Sequence, residues 1–456
     1  MDEMEVLIEC YIELAYTAPP SKEKRSSAQP FPASIKRRAK TLRYLPVVSA
    51  VIVVDPSGRY DGRSDLPLFE SFEGNIEYPG GINAPKKIEV KGSDGVVRRE
   101  LVKSGLDDLR QDAVMQQIFT FCNSILESNA NCRTRGLRMN TFKVVPFTPT
   151  AGVIEWVDST LPLVEWLAGK DRVSGAHLKY SRPGSWDYRQ CHVAMAADRR
   201  PRTHEELRAA YDRCCSRFHP VLHHFFLERF REPALWLEKR LAYTRSVAVS
   251  SIVGYIIGLG DRHLANILVS VTTAEVVHID LGIAFDAGQH LPTPETVPFR
   301  LTRDLVDGMG VTGVEGPMRR SCESTMLVLR ENKEAILTIV EVFLHDPLYK
   351  WTMTVKDAAR RQLRRGGIDG EEINDDDDLD DDGSNAFIDD GGGVGDGGTG
   401  SADAERTILR VRAKLDGRAF DDGDIRGVEG QVQELLREAQ DPDRLCRLYV
   451  GWAPWL

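Results

Sequence analysis

Residues 258–270 read GLGDRHLANILVS, and HIDLG follows at 278–282. Asp261, His263 and Asn266 stand among glycine and aliphatic residues, and Asp280 is flanked by Ile279, Leu281 and Gly282. Isolated polar groups are costly in an apolar setting unless paired or put to use. NILVS and EVVHID flank the turn VTTA, so the stretch predicts a hairpin that brings Asn266 and Asp280 together. Mg²⁺ takes hard oxygen ligands and keeps several waters, and one carboxylate with one amide oxygen suits it. Asp261 is then free to act on an attacking hydroxyl, and His263 to stabilise charge on a transferred phosphoryl group. Each residue alone is more often structural: Asp-Arg can cap a helix, and a strand histidine can be a satisfied core group. Together and in this order they point to phosphoryl transfer.

The surroundings support that reading. From Leu45 to Val157, β-branched runs dominate: VVSAVIVV (47–54), KKIEV (86–90), VVRRELV (96–102), FKVVPF (142–147) and GVIEWV (152–157). One helix interrupts at about 107–128, with Leu109, Val114, Ile118, Phe121 and Ile125 near one face. Lys103 ends a strand and Asp112 lies on the helix behind it, a lysine–acid pairing able to clamp phosphates. From about 160 onward helical periodicity takes over. A small β-rich lobe joined to a larger helical one is the plan of nucleotide-dependent phosphotransferases, and as fold analogy it sets only a prior.

Composition narrows the alternatives. The chain has 456 residues, 42% of them hydrophobic, enough for more than one domain. No apolar run reaches ~18 residues without a charge, and the acidic MDEMEVLIEC has no signal-peptide character. The eight cysteines follow no paired spacing and read as free thiols of a reducing compartment. The net charge of −10 is local: residues 368–398 carry thirteen acidic and no basic residues, and without that −13 the rest stands at +3. The acidic and glycine-rich tract at 368–403 lacks the apolar surface to order itself. ERTILRVRAKL and GQVQELLREAQDPDRL read as helices, ahead of a tryptophan-rich end, YVGWAPWL.

At the front, residues 1–19 carry apolar positions at helical spacing before PPSKEKRSSAQPFP breaks the pattern. A helix with an unpartnered apolar face implies that the sequence is a piece of a longer chain. The basic run Ile35-Lys36-Arg37-Arg38 reads as a solvated linker before it reads as a nuclear import signal. Cys215, His219 and His223 fall at i, i+4 and i+8, but Pro220 interrupts the face they would share, so core or surface histidines are expected. Trp452 and Trp455 could enter a membrane surface, and packing against the body of the protein is the expectation.

GLGDRHLANIL with HIDLG resembles the catalytic loop and metal motif of the phosphatidylinositol 3-kinase-related protein kinases. LPTPETVPFRLTRDLVDGMGVTGVEG (291–316), LEKRLAYTRSVAVSSIVGYIIGLGDRH (237–263) and TIVEVFLHDPLYKWTM (338–353) are similar to the ATM/Tel branch. The end of the chain resembles the FATC module, and the likeness runs from about residue 30 onward, apart from the acidic tract.

The resemblance implies an α+β, bilobal protein-kinase-like fold of the PI3/PI4-kinase type. It divides the chain into the end of a FAT region (1–30), an N-lobe (31–157), a C-lobe (158–365), an acidic insertion with a regulatory helix (366–423) and FATC (424–456). It implies Asp261 as catalytic aspartate, His263 as its transition-state partner, and Asn266 and Asp280 as metal ligands. ATP would meet Gly80 and Gly81 of a glycine-rich loop, Lys103 with Asp112, the hinge Glu155, Trp156 and Val157, and a floor of Leu268 and Ile279. Cofactors would be ATP and Mg²⁺, with Mn²⁺ as a substitute.

By the same resemblance the chain is a nuclear serine/threonine protein kinase acting at Ser/Thr-Gln sites. It would serve DNA double-strand-break checkpoint signalling and telomere maintenance. It would form a homodimer and bind a DNA-end sensor complex through regions beyond this sequence, with no membrane and no direct nucleic-acid contact by this segment. Two departures stand out: one extra residue between Lys103 and DDLRQD, and Phe142 where the family usually has tyrosine. The alternatives are a phosphoinositide lipid kinase, which needs a cationic activation loop, and a pseudokinase scaffold, which would lack the aspartates or the lysine.

Overall fold

A computed structural model describes residues 3–18, 28–42, 44–50, 66–80, 84–105, 108–172, 174–196, 202–345, 399–418 and 424–456. Its upper part is a five-stranded antiparallel sheet in the order β1-β2-β3-β5-β4. The strands are β1 (Phe69–Glu77), β2 (Lys86–Gly92), β3 (Val97–Ser104), β4 (Val144–Thr148) and β5 (Ala151–Glu155). In β2, KKIEVKG alternates, burying Lys86, Ile88, Val90 and Gly92.

One face of the sheet is covered by α1 (Glu3–Tyr16), whose Leu7, Cys10, Tyr11 and Leu14 recur at helical spacing. They share a core with Ile88, Val90, Val102, Ala151 and Val153. Burial of each large apolar side chain there contributes on the order of 2 kcal/mol. The apolar face expected at the front of the chain therefore closes the N-lobe itself. Against β4 lies α3 (Leu109–Ser128), started by Asp108, whose side chain accepts the Arg110 N–H.

Two sequence expectations are corrected here. The basic run is not a linker: it forms α2 (Ala33–Ala39), with Ile35 and Ala39 buried and Arg38 paired with Glu9 and Glu13 of α1. VVSAVIVV does not form the expected strand over its described part. Pro46, just before it, makes only an isolated bridge to Leu68, residues 48–49 turn, and 51–54 lie outside the described residues. The edge strand is β1, where Phe69, Phe72 and Ile76 are buried. Register shifts between Phe69 and Ser71 and between Glu73 and Glu77, with Gly74 at φ +60°, destroy the two-residue period that marks a strand.

The lower part is helical: α4 (Ala130–Arg135), α5 (Leu163–Ala168), α6 (Ala176–Lys179), α7 (Tyr188–Met195), α8 (His204–Arg217), α9 (His223–Arg229), α10 (Pro233–Ile256), α11 (Arg303–Gly308), α12 (Pro317–Glu331) and α13 (Lys333–Leu344). At its centre runs α10, fully buried from Ser246 to Ile256 and packed on α12. A three-stranded sheet of β6 (Thr160–Pro162), β7 (Ile267–Ser270) and β8 (Val276–His278) joins the two parts. Beyond the acidic tract, α14 (Thr399–Asp416) packs on α13, and α15 (Val428–Ala439) packs on α12, with α16 (Pro442–Leu445) following. The tract was expected to lack order through residue 403, but helix α14 begins at Thr399. Residues 368–398 lie outside the described residues.

Candidate active site

The hairpin forms as the sequence predicts, with Ile267 opposite His278 and Leu268 opposite Val277. The Ile279 N–H donates to the Asn266 carbonyl at 3.0 Å, which carries the pairing one step further and brings Asn266 beside Asp280. The loop before it is closed by its own polar groups. The Asn266 N–H donates to the His263 carbonyl (2.9 Å) and its side-chain amide to the Asp261 carbonyl (3.1 Å). Asp261 and Asp280 both hold left-handed backbones, at φ +58° and +55°. Such conformations cost energy in non-glycine residues and persist only where the surroundings enforce them.

Two enforcing residues were not anticipated from the sequence. The Glu295 carboxylate accepts the Asp261 N–H with both oxygens, at 2.8 and 3.0 Å. Burial pushes its pKa up to about 7, against the pull of Arg262. Arg262 donates to the carbonyls of Gly260 (2.7 Å), Ile279 (2.9 Å) and Asp280, so one guanidinium ties the Asp261 loop to the Asp280 loop. Burial lowers its pKa to about 10, which still leaves it cationic at neutral pH. The only sequence signal was a charge amid glycine, proline and aliphatic residues; the partners are backbone groups and carry no pattern.

His263 is held as a neutral donor. Its Nδ1 accepts the Ala265 N–H at 3.2 Å, which places the ring proton on Nε2, 3.9 Å from Asp261 Oδ1. Burial first, then Arg262, pushes its pKa down to about 3.

The upper residues reach the same place from above. Asp112 on α3 accepts the Leu281 N–H at 2.8 Å, joining the N-lobe helix to the residue after Asp280. Lys103 stands on β3 opposite Gly152. Strand pairing runs on through Ser104 opposite Ala151, and the Gly105 N–H reaches the Thr150 carbonyl at 2.9 Å. The extra residue after Lys103 thus leaves the strand intact; Leu106 and Asp107 lie outside the described residues.

Gly80 takes φ +102°, a conformation suited to glycine, and Gly81 lies outside the described residues. Val157, Leu268 and Ile279 fall in one apolar cluster with Leu109, Ala113, Phe142, Val144, Ile154 and Val277, contributed by both lobes. The Phe142 ring is part of that interlobe cluster. Glu155 turns its carboxylate back to the Lys143 N–H (2.8 Å), and the Trp156 N–H donates to the Arg99 carbonyl (2.9 Å). The Glu155 carboxylate and the Trp156 N–H are thus both engaged within the chain.

The end of the chain is part of this assembly. Buried Arg300 donates to the carbonyls of Trp452 (2.6 Å), Ala453 (2.9 Å) and Leu456 (3.1 Å), and its guanidinium lies 4.1 Å from the Trp452 ring. Trp452 and Trp455 are buried, so the membrane-dipping alternative does not hold. Trp452 and Tyr449 line a recess with Asp261, His263, Leu291 and Glu295.

The Cys215, His219, His223 face does not exist as one surface. α8 ends at Arg217, α9 begins at His223, and His223 Nδ1 lies 2.7 Å from an Asp307 oxygen. No group of three metal-binding side chains of the His, Cys, Asp and Glu types occurs among the described residues. Among them, too, no helix is long and apolar enough to cross a membrane.

Comparison with known proteins agrees with this architecture. The family model described as phosphatidylinositol 3- and 4-kinase matches residues 100–353, and that of the FATC domain matches 426–456. The chain is 47% identical over 456 residues to the serine/threonine-protein kinase ATM of Arabidopsis thaliana, covering all of this chain and 11% of that protein. It is 40% identical over 448 residues to the serine/threonine-protein kinase tel1 of Schizosaccharomyces pombe, covering 98% of this chain and 15% of that one. The open conformation of CtTel1 superposes with a TM-score of 0.82 at 34% identity, over 100% of this chain and 15% of that chain. The chain thus spans between about a tenth and a sixth of the length of these relatives. With matching sequence, matching fold and a two-lobed site built around one hairpin, the chain belongs to the phosphatidylinositol 3- and 4-kinase family, in the company of the ATM and Tel1 kinases.

Proposed function

We propose that the chain transfers the γ-phosphoryl group of ATP to serine or threonine hydroxyls of protein substrates, with a preference for sites followed by glutamine. The observation that carries this reading is the convergence of Asp261, Asn266 and Asp280 on one hairpin, braced by Arg262 below and Asp112 above.

In this reading Asp261 orients the attacking hydroxyl and accepts its proton. His263 donates its Nε2–H to charge developing on the phosphoryl oxygens. Its neutrality keeps that donor constant across the working pH range. Lys103, Gly80 and Gly81 hold the phosphates, with Asp112 ordering the Asp280 loop, while Glu155, Trp156, Val157, Leu268 and Ile279 enclose adenine.

The Asn266 side-chain oxygen takes no protein donor among the described residues, and with the Asp280 carboxylate it makes a hard-oxygen pair of the kind Mg²⁺ prefers, Mn²⁺ being the substitute. A divalent ion bound there would screen the phosphate charge.

The activation segment favours a peptide over a lipid headgroup. Of the basic residues between Asp280 and Arg303, Arg300 is buried on the tail and Arg303 donates to the Phe218 carbonyl (2.9 Å), leaving His290 exposed. A sparse loop of this kind offers no cationic cluster for an inositol phosphate.

The proposed division is the one expected from the sequence: N-lobe 31–157, C-lobe 158–365, acidic insertion with a regulatory helix 366–423 and FATC 424–456. Here α1 belongs with the N-lobe core. By likeness to ATM and Tel1, the full protein would act in the nucleus, in double-strand-break signalling and telomere maintenance, as a homodimer recruited by a DNA-end sensor. One of the similar solved structures is a Tel1 symmetric dimer.

The test is a radiolabel assay with a Ser-Gln peptide, its Ser-Ala counterpart and phosphoinositide vesicles. Labelling of the Ser-Gln peptide is expected, with loss of about 1,000-fold or more in Asp261→Asn. Labelling of the lipid alone overturns the reading.

A further inference from the structure

The last turn of an α-helix leaves carbonyls with no partner inside the helix. In α1 the Glu13 carbonyl is taken by the Thr17 N–H (3.0 Å) and hydroxyl (2.7 Å), and the Leu14 carbonyl by the same N–H at 3.3 Å. The Ala15 carbonyl is different. It receives two side chains from the N-lobe sheet, Lys86 Nζ at 2.9 Å and Ser104 Oγ at 2.8 Å.

Both donors occupy telling positions. Lys86 is the first residue of β2, directly after the loop that carries Gly80, and its relative exposure is 3%. Ser104 is the last residue of β3, next to Lys103. Lys86 pairs with Val102, so the two donors leave adjacent strands at the same end of the sheet. A buried ammonium on the negative end of a helix makes a charge-assisted bond that its surroundings reinforce.

The strand alternation adds direction. Along β3, Glu100, Val102 and Ser104 face α1, while Leu101 and Lys103 face the other way. Tyr11 of α1 donates its hydroxyl to Glu100 at 2.6 Å, and the Tyr16 hydroxyl lies 2.7 Å from the Thr150 hydroxyl, whose residue also takes the Gly105 N–H. The helix thus grips the back of the strand whose front bears Lys103.

We propose that Ser104 and Lys86 are positioning residues for the nucleotide: by gripping the Ala15 carbonyl they set the adjoining ends of β2 and β3 against α1, so that the placement of α1 fixes how Lys103 meets the phosphates. The proposal rests on the reading above that Lys103 binds ATP. It makes α1 a joint through which a displacement of the helix reaches the phosphate side of the site.

The experiment uses the full chain with Ser104→Ala, Lys86→Met and Ser104→Thr. In Ser104→Ala and Lys86→Met the KM for ATP is expected to rise about 5- to 20-fold, with kcat within about twofold and the KM for peptide constant. Ser104→Thr keeps the hydroxyl and recovers most of the ATP affinity lost in Ser104→Ala. A role in stability alone lowers the melting temperature and the active fraction, hence kcat, at constant KM for ATP.

An unchanged KM for ATP in either Ser104→Ala or Lys86→Met overturns the proposal. Binding of a fluorescent ATP analogue to Lys103→Met separates the two layers. If Lys103→Met binds it as the parent chain does, the phosphate role of Lys103 fails, and the proposal with it. If Lys103→Met loses it while Ser104→Ala and Lys86→Met keep it, the positioning claim alone fails.

Discussion

The two ends of the described chain are clasped to the two lobes by the same chemistry used at different strengths. At the N-lobe, the single ammonium of Lys86 and the Ser104 hydroxyl share one carbonyl of α1. At the C-lobe, the fork of Arg300 spreads over three carbonyls of the tail while stacking on Trp452, and its Nη1 lies 3.5 Å from the Arg262 carbonyl. A planar guanidinium fixes direction as well as distance, which an ammonium cannot do. The tail is therefore built into the loop that carries Asp261. Helix α1 is held by its apolar face and by separate single-point polar bonds along its length.

The sharpest way to break this contrast is Arg300→Met. Three buried carbonyls lose their donor, and a loss of about 3–5 kcal/mol is expected, with peptide phosphorylation down about 100-fold or more. Arg300→Lys should recover only part of it. Melting curves and initial rates give the answer, and a parent-like melting temperature in Arg300→Met would erase the distinction between the two clasps.

A smaller effect comes from acid. His263 and His278 are both kept neutral, with pKa values pushed from 6.5 to about 3, chiefly by burial and then by Arg262. Between those values the unfolded chain takes up protons that the folded chain refuses. Stability is thus full above pH 6.5 and is lost as pH falls toward 3, by up to about 2 kcal/mol per imidazole at pH 5. Denaturant unfolding at pH 7.5 and 5.5 measures it, with His278→Gln expected to flatten the slope. The α1 contacts include no histidine, so loss beginning at α1 would contradict the assignment.

The smallest is Tyr11→Phe. Glu100 keeps the Ser49 N–H and loses one donor, at a cost of about 1 kcal/mol. A shift of more than about 5 °C in melting temperature would show that α1 hangs on this bond more than on its apolar face.

Much of this was legible in the sequence, for reasons that differ by region. The hairpin could be read because Asn266 and Asp280 sit close in the chain, with β-branched runs and a turn between them. Helix α3 could be read from its apolar period. Strand β1 could not, because its bulges space Phe69, Phe72 and Ile76 as a helix would. The short α2 was hidden because its cations, read as solvated, are partly spent on the carboxylates of α1. Glu295, Arg262 and Arg300 were invisible as site builders. Their partners are main-chain atoms, some of them distant in sequence, and no residue pattern encodes a carbonyl.

The left-handed backbones of Asp261 and Asp280 have a wider use. Among the described residues, every acidic side chain at positive φ lies between 261 and 286. A search of coordinates for carboxylates in that conformation would find this site in a relative whose sequence had drifted past recognition. It also sets a condition for anyone transplanting the site: side chains grafted onto an ordinary hairpin would point the wrong way, because the twist of the main chain is itself one of the parts.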